Sequence, residues 1–161
     1  HTHCKILDTR KTTPNFRYAE KFAVMIGGGT NHRMGLFDAI LIKDNHIDYC
    51  GGMNNTLKKT EKYLNKLDKK LDVVVECRNQ KEIDLAINFD FVNRILLDNY
   101  NPKELVKALS LIRGRKKTEA SGRIKKKNIV EYAETGVDFV SIGELTNNIK
   151  SIDMSLKAIA I

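Results

Sequence analysis

Ile6-Leu7-Asp8-Thr9-Arg10-Lys11-Thr12-Thr13-Pro14 opens as a short buried strand and breaks into two adjacent cations before a turn ended by proline. Pro14 has no N–H to donate, so a strand ladder does not run through it. An Arg-Lys pair at a strand end is where an α/β protein grips an anionic substrate. Outward from this stretch the same design repeats. Lys5–Asp8, Ala39–Lys43, Val73–Glu76, Arg94–Asp98, Lys117–Ala120 and Asp138–Ser141 read as strands. Between the first two, Phe16, Ala19, Ala23 and Ile26 fall on one helical face, and Gly27-Gly28-Gly29 stops the helix. Further helices are expected over Thr56–Leu71, Gln80–Asn88, Pro102–Ile112 and Lys127–Thr135, with Pro102 in a first turn where its missing N–H costs nothing. Tyr63, Leu64 and Leu67 read as the core stripe of the Lys-rich second helix. Ile152–Ile161 reads as a seventh strand or a last helix, with strand favoured at its start.

Alternating β and α segments predict a parallel sheet with helices packed outside it. Arg10, Lys43, Glu76, Asp98, Glu119 and Ser141 each fall at or just past the end of a candidate strand, at spacings of 33, 33, 22, 21 and 22 residues. These are the lengths of compact βα units, and in an α/β barrel such strand ends share one mouth. A doubly wound open sheet would carry a glycine-rich turn after its first strand. Here that turn is Thr9-Arg10-Lys11-Thr12, without glycine, so the α/β barrel, with six to seven parallel strands and outer helices, is preferred.

Composition sets the frame. A chain of 161 residues with 42% hydrophobic residues supports one domain, and two prolines and ten glycines argue against disorder or linkers. No apolar run reaches the ~20 residues of a membrane span, and no signal segment leads the chain, so a cytoplasmic enzyme is expected. Cys4, Cys50 and Cys77 include no Cys-x-x-Cys pair and read as reduced thiols. The chain opens on His1 rather than Met, with a strand almost at once, which points to a polypeptide lacking an N-terminal part. Much of the net charge of +8 sits in Arg113–Lys117 and Arg123–Lys127. Either these are solvated helix-start and loop cations, or they form a polyanion-binding patch; the first is preferred.

The strand-end groups separate by charge. Arg10, Lys11, His32, Arg33 and Lys43 form a cationic set suited to a small substrate with more than one carboxylate, or to a phosphate. Glu76 and Asp98, with Glu119 beside them, suit Mg²⁺, which is often held by one or two carboxylates plus phosphate oxygens. Backbone N–H groups of Ser121-Gly122 and Ser141-Ile142-Gly143 suit a phosphate. Together they describe a transferase joining an acidic small molecule to a phosphorylated sugar. His46 reads either as a mouth-loop residue or as a turn residue capping the next segment, and Cys77, one residue past Glu76, points to the opposite face as packing. Walker-type, Gly-x-Ser-x-Gly and His-Glu-x-x-His motifs are missing from the sequence.

Asp8-Thr9-Arg10-Lys11-Thr12-Thr13-Pro14, Gly27–Leu36 and Ile42-Lys43-Asp44-Asn45-His46 resemble the signatures of the quinolinate phosphoribosyltransferase family. Glu76, Leu96–Asn99, Glu119–Gly122, Ser141–Gly143 and Ile152–Leu156 continue the resemblance in order across essentially the whole chain. It implies an open α/β barrel in which Arg10, His32, Arg33 and Lys43 bind the two carboxylates of quinolinate. Lys11 and Lys43 would face the diphosphate of phosphoribosyl pyrophosphate. Glu76 and Asp98 would hold the ribose hydroxyls and Mg²⁺, and Ser121, Gly122, Ser141 and Gly143 would line the 5′-phosphate site. Lys11, Lys43, Glu76 and Asp98 would thus be the catalytic set. The implied reaction yields nicotinate mononucleotide, pyrophosphate and CO₂, a step of NAD biosynthesis. A related phosphoribosyltransferase for another acidic substrate, or a basic polyanion-binding module, is the alternative.

Departures from the family pattern are Asn15-Phe16 for Gly-Leu, Arg123 for a second glycine and Asn147 for a histidine. The family also implies a homodimer or larger homo-oligomer, and an N-terminal domain whose arginine, from the partner subunit, completes the quinolinate site. Neither a nucleic acid nor a membrane is expected as partner.

Overall fold

The computed structural model describes residues 2–147, 149–150 and 152–159. The alternation becomes one sheet of six parallel strands: β1 (Lys5–Leu7), β2 (Ala39–Ile42), β3 (Asp72–Cys77), β4 (Arg94–Asp98), β5 (Lys117–Ser121) and β6 (Phe139–Ser141). Their order is β1-β6-β5-β4-β3-β2. The sheet curls but does not close, because β1 and β2 remain its two edges. Segment 30–33 lies along the β1 edge instead. Thr30 pairs with Leu7 in an isolated parallel bridge, its N–H donating to the Ile6 carbonyl at 2.8 Å. This is the expected open barrel.

Period-two alternation divides each strand between two environments. Val73, Val75, Cys77, Ile95, Leu97, Ala120, Val140 and Ile142 enter the hydrophobic core. They pack against Leu57 of α3 (Met53–Leu64), Ile83 and Ala86 of α4 (Gln80–Ala86), Leu105, Ala108 and Ile112 of α5 (Pro102–Ile112) and Tyr132 of α6 (Ile129–Ala133). The alternate residues Leu41, Glu76, Leu96, Asp98, Glu119, Ser121 and Ser141 line the interior cavity. α5 has the predicted bounds, with Pro102 in its first turn. Asn101 and Glu104 form a reciprocal cap, each side chain accepting the other's backbone N–H at 3.0 and 2.9 Å.

Several elements differ from the sequence expectation. α3 begins at Met53 and ends at Leu64, not Thr56–Leu71; its inner face is Met53, Thr56 and Leu57, and Tyr63 is exposed rather than core. After Leu64 the chain tightens into i→i−3 bonds, Lys66 N–H to Tyr63 and Leu67 N–H to Leu64, and the helix is lost. α2 (Asp44–Tyr49) forms where a mouth loop or turn was expected. α6 is only five residues long, because Asn128 accepts the Lys125 N–H at 2.7 Å in a turn before it. Residues 152–159 carry no regular element, against the expected strand or helix; residues 160 and 161 lie outside the described residues.

The largest difference is in α1 (Arg17–Ile26). Its predicted buried stripe lies outward, with Phe16 and Ile26 58% and 74% exposed, while Glu20 and Lys21 are buried. Arg17, Glu20, Lys21 and Val24 follow the i, i+3, i+4, i+7 rule as the inner face, so the polar stripe won. The tract Arg113–Lys117 is spent on structure. Arg113, at φ 51°, ends α5. Arg115 donates to the Leu111 and Ile112 carbonyls, Lys116 to the Phe89 carbonyl at 2.8 Å, and Lys117 pairs with Asp138 at 2.9 Å. That outcome disfavours a polyanion patch there.

Candidate functional site

A cavity of about 380 Å³ opens at the C-terminal ends of the strands. Arg10, Lys11, His32, Arg33 and Lys43 line one side, and Glu76, Asp98, Glu119, Ser121 and Ser141 line the other. The structure therefore brings together the cationic and anionic sets expected from sequence. The cations stand on the open edge of the barrel, on the β1–α1 loop, on segment 30–33 and at the end of β2. Arg33 spans that opening by donating from Nη1 to the Ala39 carbonyl of β2 at 3.1 Å. Burial lowers the Arg33 pKa and the neighbouring Arg10 lowers it further, against a pull from Asp38. Arg10 Nε is buried without a hydrogen-bond partner among the described residues. Unmatched positive charge of this kind suits an anion.

The inward face of α1 holds these cations in place. Lys21 Nζ and Asp8 Oδ1 are 2.5 Å apart with both side chains fully buried, and Lys21 also donates to the His32 carbonyl at 3.0 Å. Asp8 Oδ1 accepts the His32 N–H at 2.7 Å. Arg17 donates to Thr12 and to the Arg10 carbonyl, and Glu20 accepts the N–H and hydroxyl of Thr13. An apolar face could not supply these donors and acceptors, which is the physical reason α1 turns its polar stripe inward.

On the opposite wall, burial pushes the Glu76 carboxyl up to about 7, with Asp98 and Asp44 adding repulsion and Lys43 and Arg78 opposing it. Glu76 and Asp98 point the same way because Glu76 pairs in register with Leu96, two residues before Asp98. Glu119 behaves differently from its expected place beside them. It lies one pleat below Ser121, fully buried, and its Oε2 accepts from Arg94 Nη1 at 2.9 Å. Its Oε1 accepts the Ser141 hydroxyl, and His32 Nε2 is 3.5 Å from Oε2. With its oxygens so engaged it is not a third metal-binding carboxylate, and no cluster of three or more potential metal ligands occurs among the described residues.

A smaller adjoining cavity of about 320 Å³ is lined by Lys11, Asp98, Ser121, Gly122, Ser141 and Gly143 among others. Gly122 has φ 92°, and a Cβ there would lie 2.5 Å from Asn99 Oδ1 and 2.8 Å from Asn99 N, so only glycine fits. Arg123 and Asn99 also adopt left-handed φ, 56° and 59°.

With this geometry in place, the similarity to known proteins is decisive. The profile described as quinolinate phosphoribosyl transferase, C-terminal domain, matches residues 1–157. This chain belongs to that family. Its sequence is 43% identical over 166 residues to a chloroplastic nicotinate-nucleotide pyrophosphorylase (carboxylating) of Arabidopsis thaliana, covering 94% of this chain and 48% of the relative. It is 41% identical over 152 residues to a probable nicotinate-nucleotide pyrophosphorylase of Bacillus subtilis (strain 168), covering 94% of this chain and 51% of that protein. The solved nicotinate-nucleotide pyrophosphorylase of Francisella tularensis superposes with a TM-score of 0.88 at 45% identity, covering 96% of this chain and 53% of the other. The chain thus spans about half the length of the relatives it matches.

The candidate site residues named from sequence, from Arg10 to Gly143, each line one of the two cavities, whereas Gly27-Gly28-Gly29, His46 and Ile152–Leu156 of the quoted motifs line neither. The supporting residues were missed. Thr9, Leu41 and Asp44 also line the main cavity, and Arg94, Asp8 and Lys21 hold its wall groups from behind. Arg94 was findable, since Arg94, Leu96 and Asp98 share one strand face by period two. His46 does not line the main cavity; its Nδ1 accepts the Lys43 N–H at 3.0 Å, fixing the start of α2.

Proposed function

We propose that the chain is the catalytic barrel of a quinolinate phosphoribosyltransferase: it transfers phosphoribosyl from phosphoribosyl pyrophosphate to quinolinate with decarboxylation, giving nicotinate mononucleotide, pyrophosphate and CO₂. The observation that carries this reading is the one cavity walled by Arg10, Lys11, Arg33 and Lys43 on one side and by Glu76 and Asp98 on the other. Arg10, Arg33 and Lys43 make the carboxylate-binding side, with His32 on the same wall, and Lys11 and Lys43 face the diphosphate. The glycine-bounded cavity at Ser121, Gly122, Ser141 and Gly143 takes the 5′-phosphate; the Ser141 hydroxyl is committed to Glu119, so backbone N–H groups supply its binding there.

The residues fit Mg²⁺. Two carboxylates share a wall, and Glu76 is pushed to about 7 by burial and by the adjacent Asp98 and Asp44, a local excess of negative charge. Mg²⁺ held by Glu76 and Asp98 would neutralise the leaving diphosphate. The chain's own work is positioning and charge stabilisation. Cations fix the ring nitrogen toward the anomeric carbon, and Glu76 and Asp98 hold the ribose hydroxyls.

Two further expectations belong to this reading. A second copy of the chain, or an N-terminal domain of the same or a partner subunit, covers the exposed apolar face of α1, supported by the solvent-facing Phe16, Phe22 and Ile26. A reducing compartment such as the cytoplasm is supported by the free thiols of Cys4, Cys50 and Cys77. The plant relatives carry chloroplastic and mitochondrial names, and no helix of the described residues is long and apolar enough to cross a membrane.

The test is calorimetric titration with quinolinate, with nicotinate as one-carboxylate control, followed by product analysis with phosphoribosyl pyrophosphate and Mg²⁺. Selective quinolinate binding is expected, and Arg33→Ala should cost about 2–5 kcal/mol of it. Equal affinity for both ligands, or no loss in the Arg33 variant, would reject the dicarboxylate site.

A further inference from the structure

His32 is held at four points. Its N–H donates to Asp8 at 2.7 Å, its carbonyl accepts from Lys21 at 3.0 Å, its Nδ1 accepts the Arg33 N–H at 2.7 Å, and its Nε2 faces Glu119 Oε2 at 3.5 Å. A ring nitrogen that accepts an N–H carries no proton, so in the uncharged ring the one proton sits on Nε2, toward Glu119. Both nitrogens are therefore engaged by the protein, although His32 stands on the wall of the cavity. Glu119 is built to receive that proton's hydrogen bond. It is fully buried, and Arg94 and Ser141 donate to it from the strands on either side. The Arg94 guanidinium is itself seated 4.5 Å over the Phe139 ring. Burial raises the Glu119 pKa, but His32, Ser141 and Arg94 outweigh burial and hold it below the ordinary value, so the group stays a carboxylate.

We propose that Glu119 is a positioning residue: it fixes the His32 ring with its proton on Nε2, so that Nδ1 anchors the Arg33 amide and sets the Arg33 guanidinium across the open edge of the barrel. His32 then serves the substrate through Arg33. This rests on the carboxylate site proposed above for its functional consequence, while the ring geometry stands independently of any ligand. It also explains why an anion is kept beneath a pocket for anions. Simple charge would make Glu119 a liability to a dicarboxylate, and its return is the aim of the neighbouring cation.

The first measurement is long-range ¹H–¹⁵N correlation on the labelled full chain, with the His32 signals assigned by their loss in His32→Asn. The proton should be found on Nε2, and Glu119→Asp, which keeps the charge but shortens the reach, should give a mixture of tautomers. A proton on Nδ1 in the unsubstituted chain would overturn the proposal whatever the variants do. Quinolinate titration is the second measurement. Glu119→Asp and Glu119→Ala should each weaken binding by about 10–100-fold, by analogy with the loss met when the partner orienting a metal-ligating histidine is removed. If Glu119 acts only as a nearby charge, the Asp variant will bind as the unsubstituted chain does and the Ala variant more tightly. In the His32→Asn background, Glu119→Asp should cost nothing further; additive losses would show that Glu119 does not act through His32. Should the unsubstituted chain fail to bind quinolinate, either the N-terminal domain is required for binding or the substrate is different, and the tautomer result alone decides the role of Glu119.

Discussion

The two flanks of this barrel solve opposite problems. Around β3, β4 and β5, helices α3 to α5 turn apolar residues inward, and Leu57, Ile83 and Leu105 are fully buried. Beside β1, α1 turns Arg17, Glu20 and Lys21 inward and leaves Phe16, Phe22 and Ile26 to solvent. The first flank is a core, whose energy comes from removing hydrocarbon from water. The second is a bracket, whose hydrogen bonds and buried ion pair hold the loop bearing Arg10, Lys11 and, through Asp8, His32. A helix asked to aim charged side chains gives up its apolar face to whatever lies outside this chain. The open groove of about 850 Å³ between Phe16, Ala23, Gly28, Leu145 and Ile149 is the result.

The contrast can be broken most directly at Lys21. Lys21→Ala leaves Asp8 buried without its partner and should cost about 3–5 kcal/mol in denaturant unfolding. A loss under about 1 kcal/mol, the scale of an exposed pair, would mean that α1 is not a buried bracket. On the other flank, Leu105→Ala should cost about 2–5 kcal/mol by leaving a cavity, while quinolinate affinity in the folded fraction is unchanged. If that substitution altered affinity as well, the separation of core from bracket would fail.

Glu76 sharpens the comparison by pH. In the native state its pKa is about 7, against an ordinary value of 4.5. Between those values the native state binds more protons than the unfolded chain, so this group's contribution falls as pH rises, and its penalty is complete above pH 7. Glu76→Gln should therefore stabilise the protein at pH 8 by about 1 kcal/mol, the group being half exposed and screened, and have almost no effect at pH 4.5. Thermal melts at both pH values check this, and saturating Mg²⁺ should shrink the gain at pH 8 if Glu76 and Asp98 bind the ion. The smallest effect belongs to the outer face of α1. Ile26→Ser should change the stability of the dilute chain by no more than about 0.5 kcal/mol. Light scattering should show it lowering self-association if a second copy covers that face.

The sequence by itself determined most of the architecture and the membership of the site. Six strands were legible because each joins apolar alternation to a polar residue at its end. The cavity followed because parallel strands necessarily bring those ends to one side. Helix α5 was read to its limits, and its start at Pro102 is fixed by a local Asn101–Glu104 cap that depends on nothing distant. Tertiary structure alone decided three things. It set the rotation of α1, since helical periodicity finds both stripes but does not say which has partners, and Asp8, thirteen residues from Lys21, supplied them. It separated Glu119 from Glu76 and Asp98, because a carboxylate's role depends on whether Arg94, His32 and Ser141 reach it across neighbouring strands. And it set Arg33 across the gap between β1 and β2, donating to the Ala39 carbonyl of β2. Local pattern fixes which residues meet at a strand end; only long-range contacts determine which of them remain free to act.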